Sequence, residues 1–317
     1  MIMRWKPMLI RKIAISISAL LFAAYLLTSW VFSSMIILPT ADDGDGRLDE
    51  RGNQERQQST TRIEFPPPEA IKIETGDVTL DGAFYENPEP SDLAVILLPG
   101  RSGTRSGGLR LAAPFWESGY HVLVYDLRAA GKSGGAFQTF GFLDRHDASA
   151  AVDWLHENKG LDPSRIGIAG GSYGAAVAIQ TLAVRDDLYF VIADSPFSDL
   201  RTVVNDYGRR IVGPFISFIS PAAIWLAESR AGIDADDVSP MRIAQGKATP
   251  ILLIHGVEDR QTSSDHSKRI HTNADSENVR LALTDWGAGH VSSIQHDYKK
   301  YKEMVFGFIS EYAKDVN

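Results

Sequence analysis

Five short, mostly apolar runs limit what this chain can fold into more than any other feature. They are Ala94-Val95-Ile96-Leu97-Leu98, His121-Val122-Leu123-Val124-Tyr125, Arg165-Ile166-Gly167-Ile168-Ala169, Phe190-Val191-Ile192-Ala193 and Ile251-Leu252-Leu253-Ile254. A continuous apolar run, as opposed to an alternating one, suits a strand covered on both faces, the position of a central strand in a parallel sheet. Segments of helical character lie between them, for example 143–158 and 175–184. Strand and helix in alternation predict a mostly parallel, doubly wound α/β sheet. Ahead of this series, 71–74 and 78–85 read as two strands of a hairpin joined at Thr75-Gly76-Asp77, and 278–284 reads as the last strand. In such sheets chemistry collects at the carboxyl ends of the strands.

At one of those ends, directly after 165–169, stands Gly170-Gly171-Ser172-Tyr173-Gly174, followed by the small-residue helical stretch Ala175-Ala176-Val177-Ala178-Ile179. This is G-x-S-x-G between a strand and a helix. A serine presented above a sheet must sit on a tight, strained turn. The residues two before and two after it approach neighbouring backbone and must lack bulk. The helix N-terminus that follows offers free N–H groups to a developing oxyanion. Ser172 is therefore the candidate nucleophile, weighed against an ordinary Gly-Ser turn closing a βα unit. A second glycine signal, Gly131-Lys132-Ser133, resembles the end of a P-loop, but Asp126 stands where that motif needs its first glycine. Residues 126–135 read as a connecting turn.

A serine hydroxyl needs a base, and the base an orienting acid. In folds with this elbow the chain order is Ser, acid, His. Asp259 lies just beyond 251–254, where the acid belongs; Glu258, Asp265, Asp194 and Asp199 are its rivals. His290 lies late, in the glycine-rich loop Asp285-Trp286-Gly287-Ala288-Gly289-His290 that follows the last strand. Of the other histidines, His121, His146 and His156 precede Ser172, and His255 is tucked at a strand end. His266 and His271 read as solvated residues of a surface helix, and His296 as part of the C-terminal helix. The oxyanion donors would be the N–H of Tyr173 and an N–H from Pro99-Gly100-Arg101-Ser102-Gly103, with Arg101 chosen. The Arg101 side chain reads equally as a solvated charge or as a partner for a substrate carboxylate.

No charged residue occurs in residues 13–41, and Arg4, Lys6, Arg11 and Lys12 precede that stretch. About 20 apolar residues span a bilayer as a helix, and the flanking cations place the N-terminus in the cytoplasm. Residues 1–41 thus read as an uncleaved single-pass transmembrane anchor, with the remainder on the non-cytoplasmic side. The competing reading is a cleaved signal peptide, whose apolar region is normally shorter and ends in A-x-A. Residues 42–62 are polar and read as a flexible tether. The folded domain is assigned to 63–317. The chain has no cysteine, which excludes disulfides, thiolate metal sites and a cysteine nucleophile. Net charge is −8, with four of the basic residues placed ahead of the apolar stretch. So acidic a remainder repels phosphate backbones, so nucleic acid is not an expected partner.

LLPGRSG, YDLRAAGKSGG, GGSYG, ADSPF, HGVED and GAGH together resemble the α/β-hydrolase superfamily from about Ala70 to the C-terminus. Within it the chain looks like single-span, membrane-anchored serine hydrolases labelled serine aminopeptidase-like or acyl-hydrolase-like. The resemblance implies the α/β-hydrolase fold and hydrolysis through an acyl-enzyme with no metal or organic cofactor. It also places Ser172, Asp259 and His290 at the triad positions, and Tyr173 and Arg101 at the oxyanion positions. Two departures are Pro99-Gly100 where many relatives have His-Gly, and Arg128-Ala129 where many have Arg-Gly.

The expected activity is ester or thioester hydrolysis of a small-molecule or lipid-like substrate. A serine peptidase and an inactive, membrane-tethered binding protein are the alternatives. Residues 197–247 form an insertion before 251–254 that reads as a helical lid. Its apolar residues, among them Ile211, Phe215, Ile216, Phe218, Ile224 and Trp225, either pack the lid onto the core or wall an acyl site above Ser172.

Overall fold

The computed structural model describes residues 7–39, 63, 65–275 and 277–312. The tether assigned to residues 42–62 lies outside the described residues. Helix α1 (Pro7–Ile37) opens the chain. The sheet has eight strands in the order β1-β2-β4-β3-β5-β6-β7-β8. β1 (Glu69–Thr75) and β2 (Val78–Tyr85) form the predicted hairpin, and β2 runs antiparallel to β4 (His121–Tyr125). The neighbouring pairs among β3 (Ala94–Leu98), β4, β5 (Ile166–Gly171), β6 (Val191–Asp194), β7 (Ile251–Gly256) and β8 (Val279–Thr284) are parallel.

The apolar runs are continuous because both faces of the sheet are covered. On β3, Ile96 and Leu98 point into one core with Ala151, Val152 and Leu155 of α2 (Asp144–Lys159) and with α3 (Tyr173–Thr181). Val95 and Leu97 point into the other, with Tyr301, Val305 and Phe308 of α7 (Tyr298–Tyr312). Each fully buried aliphatic side chain contributes about 1.5–3 kcal/mol relative to exposure. α2 carries Asp144 and Asp147 in its first turn and His156 and Lys159 in its last, matching the helix dipole, and stops at Gly160 with φ 70°. A buried ion pair ties α2 to the hairpin: Arg128 donates to both Asp147 oxygens at 2.7 Å, and Thr75 adds a bond at 2.9 Å. Next to it Ala129 sits at φ 58°, the left-handed region that a glycine occupies without strain.

The insertion between β6 and β7 is helical. α4 (Leu200–Val212) starts at Asp199, whose carboxylate accepts from Thr202 N at 2.8 Å. A turn through Gly213-Pro214-Phe215 leads to α5 (Ile216–Ala231), which ends at Gly232 with φ 65°. α4 and α5 pack as a hairpin, with Ser220 Oγ on Asn205 Oδ1 at 2.9 Å. α6 (Asp265–Ala274) follows β7.

α1 is not a detached rod. Its C-terminal turns lie against the lid: Tyr25 Oη donates to Phe218 O at 3.3 Å, and Arg230 Nη1 reaches Ser33 and Ser34 Oγ at 2.8 and 2.9 Å. Ser29, Ser33, Ile36 and Ile37 are buried, and Gln138 N donates to Ile37 O at 2.8 Å.

Candidate active site

Ser172 has φ 55° and ψ −114°, an orientation that only a tightly held turn sustains. Its N–H donates to Asp194 O at 2.8 Å, and its carbonyl accepts from Ala176 N at 3.1 Å, so the elbow is clamped between β6 and the first turn of α3. The glycines around it are explained by contact. A Cβ on Gly170 would lie 2.4 Å from Gly174 backbone, and one on Gly174 would lie 2.4 Å from Pro99 O and 2.5 Å from Leu98 O. Tyr173, the first residue of α3, has a buried side chain whose hydroxyl accepts from Phe140 N at 2.8 Å and donates to the Asp144 carboxylate at 3.0 Å.

At the opposite wall, His290 Nδ1 lies 2.7 Å from Asp259 Oδ2. Asp259 Oδ1 accepts from Gln261 N at 2.8 Å and Thr262 N at 2.9 Å. Burial alone would push the Asp259 carboxyl up. The hydrogen bonds from His255 and His290, with the charge of His290, outweigh burial and hold it well below the usual carboxylate range. His290 Nε2 is buried without a hydrogen-bond partner. Ser172 and His290 line one cavity of about 760 Å³, which Tyr173 and Arg101 also line.

The rival acids are placed otherwise. Asp194 is buried at the end of β6, but its partner is Ser195 Oγ at 2.9 Å, and desolvation raises its pKa to about 6. Asp199 caps α4. Glu258 is exposed, and Asp265 pairs with Lys268 at 2.9 Å.

Three histidines depart from the sequence reading or add to it. His255 is a second partner of Asp259: its Nε2 lies 3.2 Å from Asp259 Oδ2 and 2.8 Å from Thr262 O, while Nδ1 meets Ser267 Oγ at 2.7 Å. His266 is buried, not solvated, because α6 packs against the lid's entry and the ring meets Ser198 Oγ at 2.9 Å. His296 ends a short turn, Ser293–His296, ahead of the C-terminal helix.

The Arg101 side chain is neither solvated nor directed at a ligand. Its Nη2 donates to the carbonyls of Met35, Ile36 and Leu38 at 2.6, 2.9 and 3.1 Å, capping the C-terminus of α1, where a cation is favoured. Burial pushes its pKa down, which these carbonyl contacts accommodate. Phe32, Met35 and Ile36 of α1 consequently form part of the cavity wall. The rest of the wall is mostly apolar, including Phe140, Phe197, Val203 and Ile211, and no Asp or Glu lines it among the described residues.

This architecture superposes on an esterase from Pyrococcus furiosus with a TM-score of 0.65 and 26% identity, covering 87% of this chain and 98% of that one. The acylaminoacyl peptidase of Pyrococcus horikoshii shares the fold at a TM-score of 0.60 and 19% identity, over 81% of this chain and 43% of that one. In sequence the chain is 27% identical over 269 residues to the uncharacterized protein YqkD of Bacillus subtilis, covering 82% of this chain and 85% of the relative. It is 29% identical over 192 residues to the lysophosphatidylserine lipase ABHD12 of Mus musculus, over 56% of this chain and 45% of that protein. The α/β-hydrolase fold is thus established by the sheet and its neighbours. The pattern of the prolyl oligopeptidase family matches residues 109–316, and the chain belongs to that family of hydrolases.

Proposed function

We propose that the protein is a serine hydrolase of acyl esters or thioesters, with Ser172 as nucleophile, His290 as general base and Asp259 as the acid that orients it. In this reading Ser172 Oγ attacks the acyl carbon as His290 Nε2 takes its proton. The N–H groups of Tyr173 and Arg101 receive the oxyanion, and His290 returns the proton to the leaving group. Water, activated by the same imidazole, then releases the acid product.

The observation that carries the ester reading is the cavity wall. A free peptide amine calls for a carboxylate, and the lid's Asp234, Asp236 and Asp237, which could supply one, do not line the cavity; Asp236 and Asp237 pair with Arg201 and Arg145 instead. An acyl chain calls for apolar surface, which Phe140, Phe197, Val203 and Ile211 supply. α1 is read as an uncleaved membrane anchor with residues 63–317 as the catalytic domain on the non-cytoplasmic side. Cleavage after the apolar stretch would remove a side of the cavity and the partners of Arg101.

Chromogenic acyl esters of increasing chain length, set against aminoacyl anilides with comparable leaving groups, test the reading. kcat/KM should rise with chain length until the pocket is full, and esters should exceed amides. Faster turnover of the amides would put the peptidase in its place.

A further inference from the structure

We propose that the tip of the α4–α5 hairpin is buried in the non-cytoplasmic side of the bilayer that α1 crosses, so that the cavity takes its acyl chain sideways from the membrane. The inference rests on α1 being a membrane span and on the acyl-hydrolase reading of Ser172.

The apolar lid residues divide sharply. Ile216, Ala223, Ile224 and Ala227 are buried against the fold, whereas Ile211, Phe215, Phe218 and Trp225 are 58, 75, 70 and 62% exposed. An exposed apolar patch of this kind is unusual on a surface that meets only water. An 18-residue stretch within the lid hairpin Leu200–Ala231 reaches a mean hydropathy of 1.5, against 1.9 for one within Leu9–Ile37.

The occupant of that patch follows from its position beside α1. The last cations before the apolar stretch are Arg11 and Lys12. A hydrocarbon core of about 30 Å consumes about 20 residues at 1.5 Å each, so a helix entering at Ile13 leaves the core near Phe32. Phe218 packs its ring 4.9 Å from that of Tyr25, seven residues before that point and so roughly 10 Å inside the core. A side chain held at that depth beside a spanning helix has lipid on its free side.

Arg230 falls where an interface would put a cation. Arg230 lies 4.1 Å over the Trp30 ring and bonds Ser33 and Ser34, close to the calculated boundary. Arg209 and Arg210 are exposed at the end of α4, where Gly208 meets Ile216 at the hairpin tip, and their guanidinium groups reach headgroup phosphates only by snorkelling. Phe32, Met35 and Ile36 line the cavity at the same level as that boundary, with Ile211 of the lid opposite in the wall. A chain moving from the leaflet into the cavity would therefore cross no water.

The chain has no cysteine, so one introduced thiol can be labelled alone. Phe215→Cys and Trp225→Cys in the full chain, carrying an environment-sensitive fluorophore and reconstituted in phosphatidylcholine vesicles, should emit as in an apolar medium. Lipids spin-labelled on their acyl chains should quench them. Lys299→Cys, at a position 87% exposed on α7, should emit as in water. Water-like emission from both lid sites overturns the proposal, as does apolar emission that acyl-chain spin labels leave unquenched, the signature of a second copy covering the patch.

A kinetic arm uses Phe215→Glu with Phe218→Glu, neither of which lines the cavity. kcat/KM for a long-chain ester dispersed in vesicles should fall about tenfold or more, since glutamate resists hydrocarbon. Turnover of a water-soluble short-chain ester should stay within roughly twofold. Equal losses on both substrates overturn the membrane route. If the unaltered protein cleaves neither ester, the ester reading has failed, and the fluorescence alone decides the insertion.

Discussion

Replacing Asp259 by asparagine should cost about 10⁴ in kcat while leaving the fold intact, for a reason written in the hydrogen bonds. Oδ1 of Asp259 accepts from two backbone N–H groups, Gln261 at 2.8 Å and Thr262 at 2.9 Å. An asparagine must keep its carbonyl oxygen there, because an NH2 group would face two donors. Its NH2 then takes the place of Oδ2, 2.7 Å from His290 Nδ1 and 3.2 Å from His255 Nε2. His290 Nδ1 must turn acceptor, which moves the ring proton to Nε2, the atom required to remove a proton from Ser172. The equivalent substitution in the chymotrypsin triad, with the same wrong-tautomer consequence, costs about 10⁴, or roughly 5.5 kcal/mol at 1.36 kcal/mol per tenfold. Stability loses a charge-assisted bond, about 1.5–3 kcal/mol. Esterase kinetics with a soluble substrate, read beside a thermal melt, measure both. A loss of less than tenfold in kcat with the fold retained would refute the tautomer argument and the assignment of Asp259.

Two further outcomes follow from packing and burial. Asp194, buried and raised to about 6 from 3.8, binds its proton more tightly folded than unfolded. It therefore removes stability as pH rises from about 4 to 6, by roughly 3 kcal/mol for about two units. Asp194→Asn should flatten the stability-against-pH curve in that window, and an unchanged slope in denaturant titrations would contradict it. Gly174→Ala forces a Cβ to 2.4 Å from Pro99 O and should cost about 1–3 kcal/mol together with activity, because the loop it displaces carries Arg101. Gly307→Ala on α7 meets nothing within 4 Å and should stabilise by up to about 1 kcal/mol. Equal melting shifts from the two glycine substitutions would refute the contact argument.

The parallel strands were legible because burial on both faces leaves a strand no polar side, and each of the five runs became a strand within a few residues of its predicted ends. The elbow was legible because its glycines stand at fixed spacing about Ser172 between a strand and a helix, although the atoms that exclude a side chain at Gly174 belong to Leu98 and Pro99. The part played by α1 in the cavity was not. A helix apolar all round has no stripe to show which side packs on protein, so Phe32, Met35 and Ile36 look like the rest of the apolar stretch. The place of the Arg101 side chain was not legible for a related reason. Its partners are backbone carbonyls more than sixty positions away, and carbonyls leave no mark in a sequence. A helix rich in polar residues predicts a solvated His266, and its burial depends on Ser198 of the lid entry, a tertiary contact outside its own element.

The central claim, that Ser172 is an activated nucleophile served by His290 and Asp259, is tested most directly by peptide mapping after exposure to a fluorophosphonate. The account predicts one covalent adduct per chain, on the peptide containing Ser172. Labelling should be lost in Ser172→Ala and slowed by orders of magnitude in His290→Ala. An adduct on another residue, or full labelling of Ser172→Ala, would contradict it.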